Sequence, residues 1–281
     1  MKKISSLIIF TLLLQSVLHS QSLRHPVAAA YVRFGAYSIS HNDIFSFTAN
    51  QAILSRLNNP GAAVYGEKRF MLRELSLYHL AITLPTRSGN FGIAGSYYGF
   101  IDYNESQTGI AYARSLSARI DIGVQFNYNA VHVAGYGSAS AVSAEAGIIL
   151  HLSDKLHAGV HVNNPSGAKY NKGQNEKLPF VYTAGLGYDA SEHFFVKKKK
   201  KKEEDQRISV NACTQYKFLP QLMVRAGLSS ASASAWIGAG VSMKSFRIDA
   251  AASYHPQLGI TPGLMLVFNF KSAKSKEQQS N

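Results

Sequence analysis

Residues 118–130 read ARIDIGVQFNYNA, and this stretch decides the fold class. Ile120, Ile122, Val124, Phe126 and Tyr128 alternate with Arg119, Asp121, Gln125, Asn127 and Asn129. Successive side chains of an extended strand point to opposite faces, so one face is apolar and the other carries charges and amides. The pattern recurs at Leu156, Ala158, Val160 and Val162 against His157, His161 and Asn163. Ile208, Val210, Ala212 and Tyr216 alternate with Ser209, Asn211, Cys213 and Gln215 in the same way. Phe246, Ile248, Ala250, Ala252 and Tyr254 do so against Arg247, Asp249 and Ser253.

Alternation also suits a soluble sandwich, and three features select a membrane barrel instead. The alternating segments run about 9–14 residues, the length that tilted membrane strands need, whereas soluble strands average roughly 5–6. Their polar faces carry charges and amides, as a wet lumen does. Short and long connections alternate along the chain. About fourteen strands result, near 61–68, 74–85, 89–100, 105–115, 118–132, 139–152, 155–163, 178–188, 191–198, 206–217, 221–230, 233–243, 245–254 and 261–270. With an even count and a periplasmic C-terminus, the short turns at residues 85–88, 115–117, 153–154, 189–190, 219–220 and 243–244 share the periplasmic side. The longer connections, at residues 132–138, 164–177 and 198–205, fall outside. The reading is an all-β, transmembrane antiparallel barrel.

The chain's start agrees with export. Lys2 and Lys3 precede an apolar run from Leu7 to Leu14, followed by Ser16, Ser20 and Ser22. This is the order of a secretory signal peptide, and the run is too short for a spanning helix, which needs roughly 20 apolar residues. Residues 1–22 are assigned to the signal, with cleavage after Ser20 or Ser22 both open. Cys213 is the single cysteine, which excludes an internal disulfide framework. The aromatics, 15 Tyr and 15 Phe against one Trp, suit strands and interfacial girdles. The formal charge of +13 is concentrated in Lys197, Lys198, Lys199, Lys200, Lys201 and Lys202, and export argues against nucleic acid as a partner.

Residues 23–60 do not alternate. His41-Asn42-Asp43 is suited to capping a short helix from Ile44 to Leu57, and Asn58-Asn59-Pro60-Gly61 ends it. A helix ahead of a barrel can bury its apolar side only in the lumen or at the periplasmic rim, so this partly helical segment is expected to plug the barrel. Residues 61–270 form the barrel and residues 271–281 a polar tail.

Asn50-Gln51-Ala52-Ile53-Leu54 resembles the Asn-Pro-Ala-Gly-Leu element that opens fatty-acid-transporter-like (FadL-like) barrels of the Bacteroidota, the group that includes the type IX secretion barrels PorV and PorQ. Residues 73–89 are similar to their first long hairpin, residues 103–113 to the next, and residues 253–259 to their last external loop. Gln51 and Ile53 depart from the family's proline and glycine. The resemblance implies fourteen strands and an N-terminal plug, with Asn50, Ala52 and Leu54 as its motif positions. It covers a group that mixes hydrophobic-compound transporters with secretion subunits.

No residues stand in a catalytic, cofactor or metal-binding pattern. His157 and His161 share a strand face, but four residues of strand separate them by roughly 13 Å, and one ion needs ligands at about 2 Å. His151 is placed to meet one of them across strands. Gly185, Gly187, Gly238 and Gly240 lie inside strands and read as close-packing positions. Arg119, Asp121, Glu145, Arg225, Arg247 and Asp249 fall on the inward face. Mixed signs on the same strands favour a salt-bridge network that closes the lumen and anchors the plug, over a solute-selecting track. The six lysines, followed by Glu203, Glu204 and Asp205, read as an outer basic loop facing lipopolysaccharide or a partner protein. Together these residues describe a non-enzymatic barrel of a Gram-negative outer membrane, in contact with its lipid and lipopolysaccharide. Its leading role is that of an accessory or secretion-associated subunit with envelope or secretion-system partners. The alternatives are a transporter of small hydrophobic solutes and, third, a barrel enzyme.

Overall fold

The computed structural model describes residues 29–171, 177–203, 208–230 and 234–270. The signal-peptide and C-terminal-tail assignments lie outside the described residues. After a short helical turn, Ala29–Val32, and two 3-10 turns, Ile44–Thr48 and Gln51–Arg56, the chain enters its strands. These are β1 (Gly61–Lys68), β2 (Ser76–Thr86), β3 (Gly89–Gly99), β4 (Tyr103–Ser117), β5 (Ile120–Val133), β6 (Gly137–His151) and β7 (Leu156–Asn163). They continue as β8 (Val181–Asp189), β9 (Phe194–Glu203), β10 (Ser209–Lys217), β11 (Leu222–Ser229), β12 (Ser234–Met243), β13 (Phe246–His255) and β14 (Gly259–Asn269). Each strand pairs antiparallel with its sequence neighbours. The β1–β14 ladder, from Gly61↔Asn269 to Glu67↔Gly263, closes the fourteen strands into a barrel with no free edge. Closure matters because backbone groups inside a bilayer have no water to bond to.

The outward face explains why this is a membrane barrel and not a sandwich. Leu80, Ile82, Ile93, Ile110, Phe126, Val160, Leu186, Leu228, Ile237 and Leu264 are all exposed. A continuous apolar surface of this extent has no place in water and suits hydrocarbon. Tyr78, Tyr97, Tyr128, Tyr182 and Tyr254 face out near one end of the barrel, and Phe91, Tyr112, Tyr188, Phe194, Tyr216 and Phe268 near the other. Two such aromatic bands are the girdles of a membrane barrel. The packed core lies inside, where Tyr31, Phe34, Tyr37, Phe45, Phe47, Ile53 and Leu54 of the N-terminal segment are fully buried by the strands.

Three expectations change. The single helix over 44–57 is instead the two 3-10 turns, interrupted at Asn50, whose extended backbone (φ −158°) lets its side chain cap the second turn. The six lysines are not an outer loop: the strand expected to stop at residue 198 continues to Glu203 as β9. Laddering on both sides holds it there, from Tyr188↔Val196 to Val181↔Glu203 on β8 and from Tyr216↔Phe194 to Ser209↔Lys201 on β10. Lys197, Lys199 and Lys201 consequently point into the lumen, and Lys198, Lys200 and Lys202 point outward and are exposed. The connection expected over 132–138 shrinks likewise, because β5 and β6 remain paired up to Val133↔Gly137.

Candidate functional site: the plugged lumen

Four carboxylates tie residues 31–57 to the barrel wall. At the periplasmic end of β8, Asp189 accepts from Ser38 Oγ (2.6 Å) and from the Ile39 and Ser40 amides (3.1 and 3.5 Å). The same carboxylate meets His41 Nδ1 and, from β7, His157 Nε2, each at 3.2 Å. One wall group thus collects both the plug's tightest turn and a neighbouring strand. Glu145 on β6 accepts from Gln51 Nε2 (2.7 Å), Asn127 Nδ2 (2.7 Å) and Asn163 Nδ2 (3.2 Å), and meets His161 Nε2 at 2.8 Å. Asp43, belonging to the plug itself, receives Arg225 Nη2 (3.2 Å) and Arg247 Nη2 (3.0 Å), while Arg247 Nε also donates to Asp249 (2.9 Å). Asp121 on β5 accepts from Arg56 Nε at 2.7 Å and meets His151 Nε2 at 2.6 Å. These buried carboxylates survive removal from water because each is hydrogen-bonded several times over, and Asp43 and Asp121 also face arginine.

The histidines join two of these anchors. His151 Nδ1 and His157 Nδ1 lie 2.9 Å apart, giving a continuous row Asp121–His151–His157–Asp189. All the nitrogens of this pair face carboxylate or each other, so the geometry spends them on structure.

Glycine lets the plug lie flat on the wall. A Cβ at Gly123 would stand 2.5 Å from the Gln51 carbonyl carbon, and one at Gly187 would collide with the Tyr37 carbonyl oxygen. Gly185 and Gly238 make room in the same way for the rings of Tyr37 and Tyr31, as their strand-interior placement suggested. Asn50 completes the fit: its Oδ1 accepts from Ala52 N (3.1 Å), and its Nδ2 donates to the Ile148 and Val160 carbonyls of the wall (3.3 and 3.2 Å). Asn90 Nδ2 holds the plug's exit by donating to the Leu54 and Leu57 carbonyls at 2.7 and 2.8 Å.

Of the inward network read from the sequence, Asp121, Glu145, Arg225, Arg247 and Asp249 are brought together through the plug. Arg119 is not: it sits in the exposed turn between β4 and β5. The register slips between Ser115 and Ser117, which carries the turn past Arg119 and leaves Arg56 of the plug to pair with Asp121. Asn50, Ala52 and Leu54 are all fully buried at the wall. Sequence reasoning misses Ser38, His41 and Asp189 as an anchor, and His41 serves that anchor in place of the expected helix cap. The periodic inward placement of Asp189 was available as a signal, but its partners lie about 150 residues away.

Above the plug the charge balance tips. Lys197 Nζ donates to the Arg33 and Phe34 carbonyls at 2.6 and 2.8 Å. Arg33 lies within electrostatic reach of Lys197, Lys199 and Glu145. Among the described residues no carboxylate stands at ion-pair distance from Arg33, Lys197 or Lys199, since Glu145 is bonded to His161. This cationic spot shares the lumen with the apolar inward side chains Tyr65, Leu77, Tyr98 and Trp236.

A closed barrel of fourteen antiparallel strands, apolar outside and plugged from its own N-terminal side, defines a plugged transmembrane β-barrel. Its fold is that of the FadL-like barrels. The CymD monoaromatic hydrocarbon channel superposes with a TM-score of 0.64 at 12% identity, over 86% of this chain and 97% of that one. The Pseudomonas putida toluene transporter TodX gives 0.60 at 12% identity, over 83% and 95%. A Pseudomonas aeruginosa FadL homologue gives 0.61 at 11% identity, over 87% and 98%. No protein-family model matches the chain, and no curated protein sequence matches it.

Proposed function

We propose that this protein is a non-enzymatic outer-membrane channel for small, largely apolar solutes, gated by residues 31–57. The observation that carries the reading is the seating of the plug. It is held by exchangeable hydrogen bonds and ion pairs to Asp121, Glu145, Asp189, Arg225 and Arg247, not by a continuous strand, so it can leave without opening the barrel. Solved barrels of the same fold described as hydrocarbon channels support it. This replaces the secretion-associated role as the leading reading. The cationic spot at Arg33, Lys197 and Lys199 favours solutes that carry a negative group on an apolar body.

Uptake into vesicles holding the purified full-length protein tests the reading. Benzoate should enter faster than through protein-free vesicles and faster than gluconate, an anion of equal charge without the apolar ring. Asp189→Asn should raise the flux by loosening the plug. If neither protein passes benzoate while extraction from native membranes recovers a stoichiometric envelope partner, the channel reading fails and an accessory subunit takes its place.

A further inference from the structure

Three arginines stand together on the periplasmic rim and take no part in seating the plug. Arg87 lies in the β2–β3 turn, Arg114 near the end of β4 and Arg119 in the β4–β5 turn, and all three are exposed. The two turns are fixed against each other, because Tyr112 Oη donates to the Ser88 carbonyl at 2.7 Å and Asn90↔Ala113 pairs the strands beside Arg114. A register shift between Ser115 and Ser117 bulges the end of β4 and leaves Leu116 61% exposed between Arg114 and Arg119. Bulges at barrel rims re-aim side chains in this way. Among the described residues no carboxylate stands at ion-pair distance from any of the three arginines. Asp121, the acid of the facing strand, points inward and is taken by Arg56 and His151. Asp154 and Glu192, exposed acids of the same rim, belong to the β6–β7 and β8–β9 turns.

The depth of the cluster selects the membrane as the source of its counter-ion. Phe91 and Tyr112, with ring centroids 5.1 Å apart, belong to the periplasmic aromatic girdle, which marks the edge of the hydrocarbon. Arg114 follows Tyr112 by two residues on the same outward face, about 7 Å further along the strand towards the periplasm. That is the level of lipid headgroups. Ile122, beside Arg114 on β5, and Leu116 offer apolar surface to the glycerol and the first methylenes of an acyl chain. A guanidinium grips phosphate through two parallel N–H···O bonds, and three of them with no acid between them favour a phosphodiester that carries no ammonium of its own. We infer that Arg87, Arg114 and Arg119 form a binding site for the phosphate of an anionic glycerophospholipid in the periplasmic leaflet. Arg114 and Arg119 hold the phosphate on either side of Leu116, and Arg87 adds its charge from the adjoining turn. The site does not depend on what the lumen carries.

The test uses the purified full-length barrel in phosphatidylcholine nanodiscs doped equally with phosphatidylglycerol and phosphatidylethanolamine, followed by native mass spectrometry of the lipid that stays bound. The wild type should retain phosphatidylglycerol about ten-fold over phosphatidylethanolamine, the size of effect that basic groups at an anionic lipid surface exert. R87Q/R114Q/R119Q should bring the two lipids to parity. K155Q/K244Q, which removes two exposed lysines from other turns of the same rim, should leave the preference intact. Heat-modifiable gel mobility checks the fold of each variant, and if the triple variant fails it, R114Q and R119Q must each lower the preference singly. Parity in the wild type would overturn the proposal, as would an undiminished preference in the arginine variants. An equal fall in K155Q/K244Q would replace a site with diffuse rim charge. Parity in the wild type, with an acidic periplasmic protein lost from native-membrane extracts of the triple variant, would overturn it in favour of a protein occupant.

Discussion

Replacing Asp189 with Asn probes the plug at its most heavily used anchor. The carboxylate is 5% exposed and gathers Ser38 Oγ, the Ile39 and Ser40 amides, His41 and His157. Asparagine keeps one oxygen acceptor but turns the other position into a donor, which then faces N–H groups, and it removes the charge that both histidines meet. Leaving these buried donors without their acceptor costs about 1–3 kcal/mol. At about 1.4 kcal/mol per factor of ten, the balance between seated and released plug should shift by about one to two orders of magnitude. Barrel closure does not involve this side chain, so the loss should be confined to the plug. Amide hydrogen exchange over residues 37–57 in detergent-solubilised protein reads this directly, with gel mobility as the check on the barrel. Exchange should rise steeply in the variant and stay unchanged in Arg119→Gln, because Arg119 lies in an exposed turn. Unaltered exchange in Asp189→Asn would refute the reasoning that these ion pairs seat the plug.

Gly187→Ala should displace the turn at Tyr37, since its Cβ would collide with the Tyr37 carbonyl; overpacking of this kind costs about 1–3 kcal/mol. Trypsin should then cut at Arg33 while the barrel keeps its heat-modifiable mobility, and continued resistance would count against the contact. Asn50→Ala removes a cap and two bonds to wall carbonyls. The cap alone is worth about 1 kcal/mol, so exchange over residues 51–56 should speed several-fold, and no change would show the cap to be idle. Lys200→Leu in phosphatidylcholine vesicles should raise the urea midpoint, because a lipid-facing lysine costs about 2–4 kcal/mol at the bilayer midplane and less towards the interface. An unchanged midpoint would mean that the lysine reaches water.

Much of the architecture was legible because it depends on a local rule. Alternation at period two assigns each strand residue to a face, and one residue of slip would invert every assignment. The strands near 61–68, 118–132 and 245–254 were therefore recognisable within one or two residues of β1, β5 and β13. Strand ends resisted where the local rule and the tertiary ladder disagree. Six consecutive lysines carry no alternation, and only pairing with β8 and β10 draws them into the wall.

The same division holds for the plug. The sequence by itself determined that residues 23–60 break the alternation and that the strands' inner faces carry mixed charge. The tertiary structure alone decided that Asp189 answers Ser38 and His41, that Arg56 takes the position expected of Arg119, and that His151 and His157 join two anchors. Side-chain direction along a strand follows from the chirality and pleat of a few consecutive residues. Which charge meets which depends on closing the barrel, because closure fixes the lumen diameter and brings groups 65 to 204 residues apart within hydrogen-bond reach.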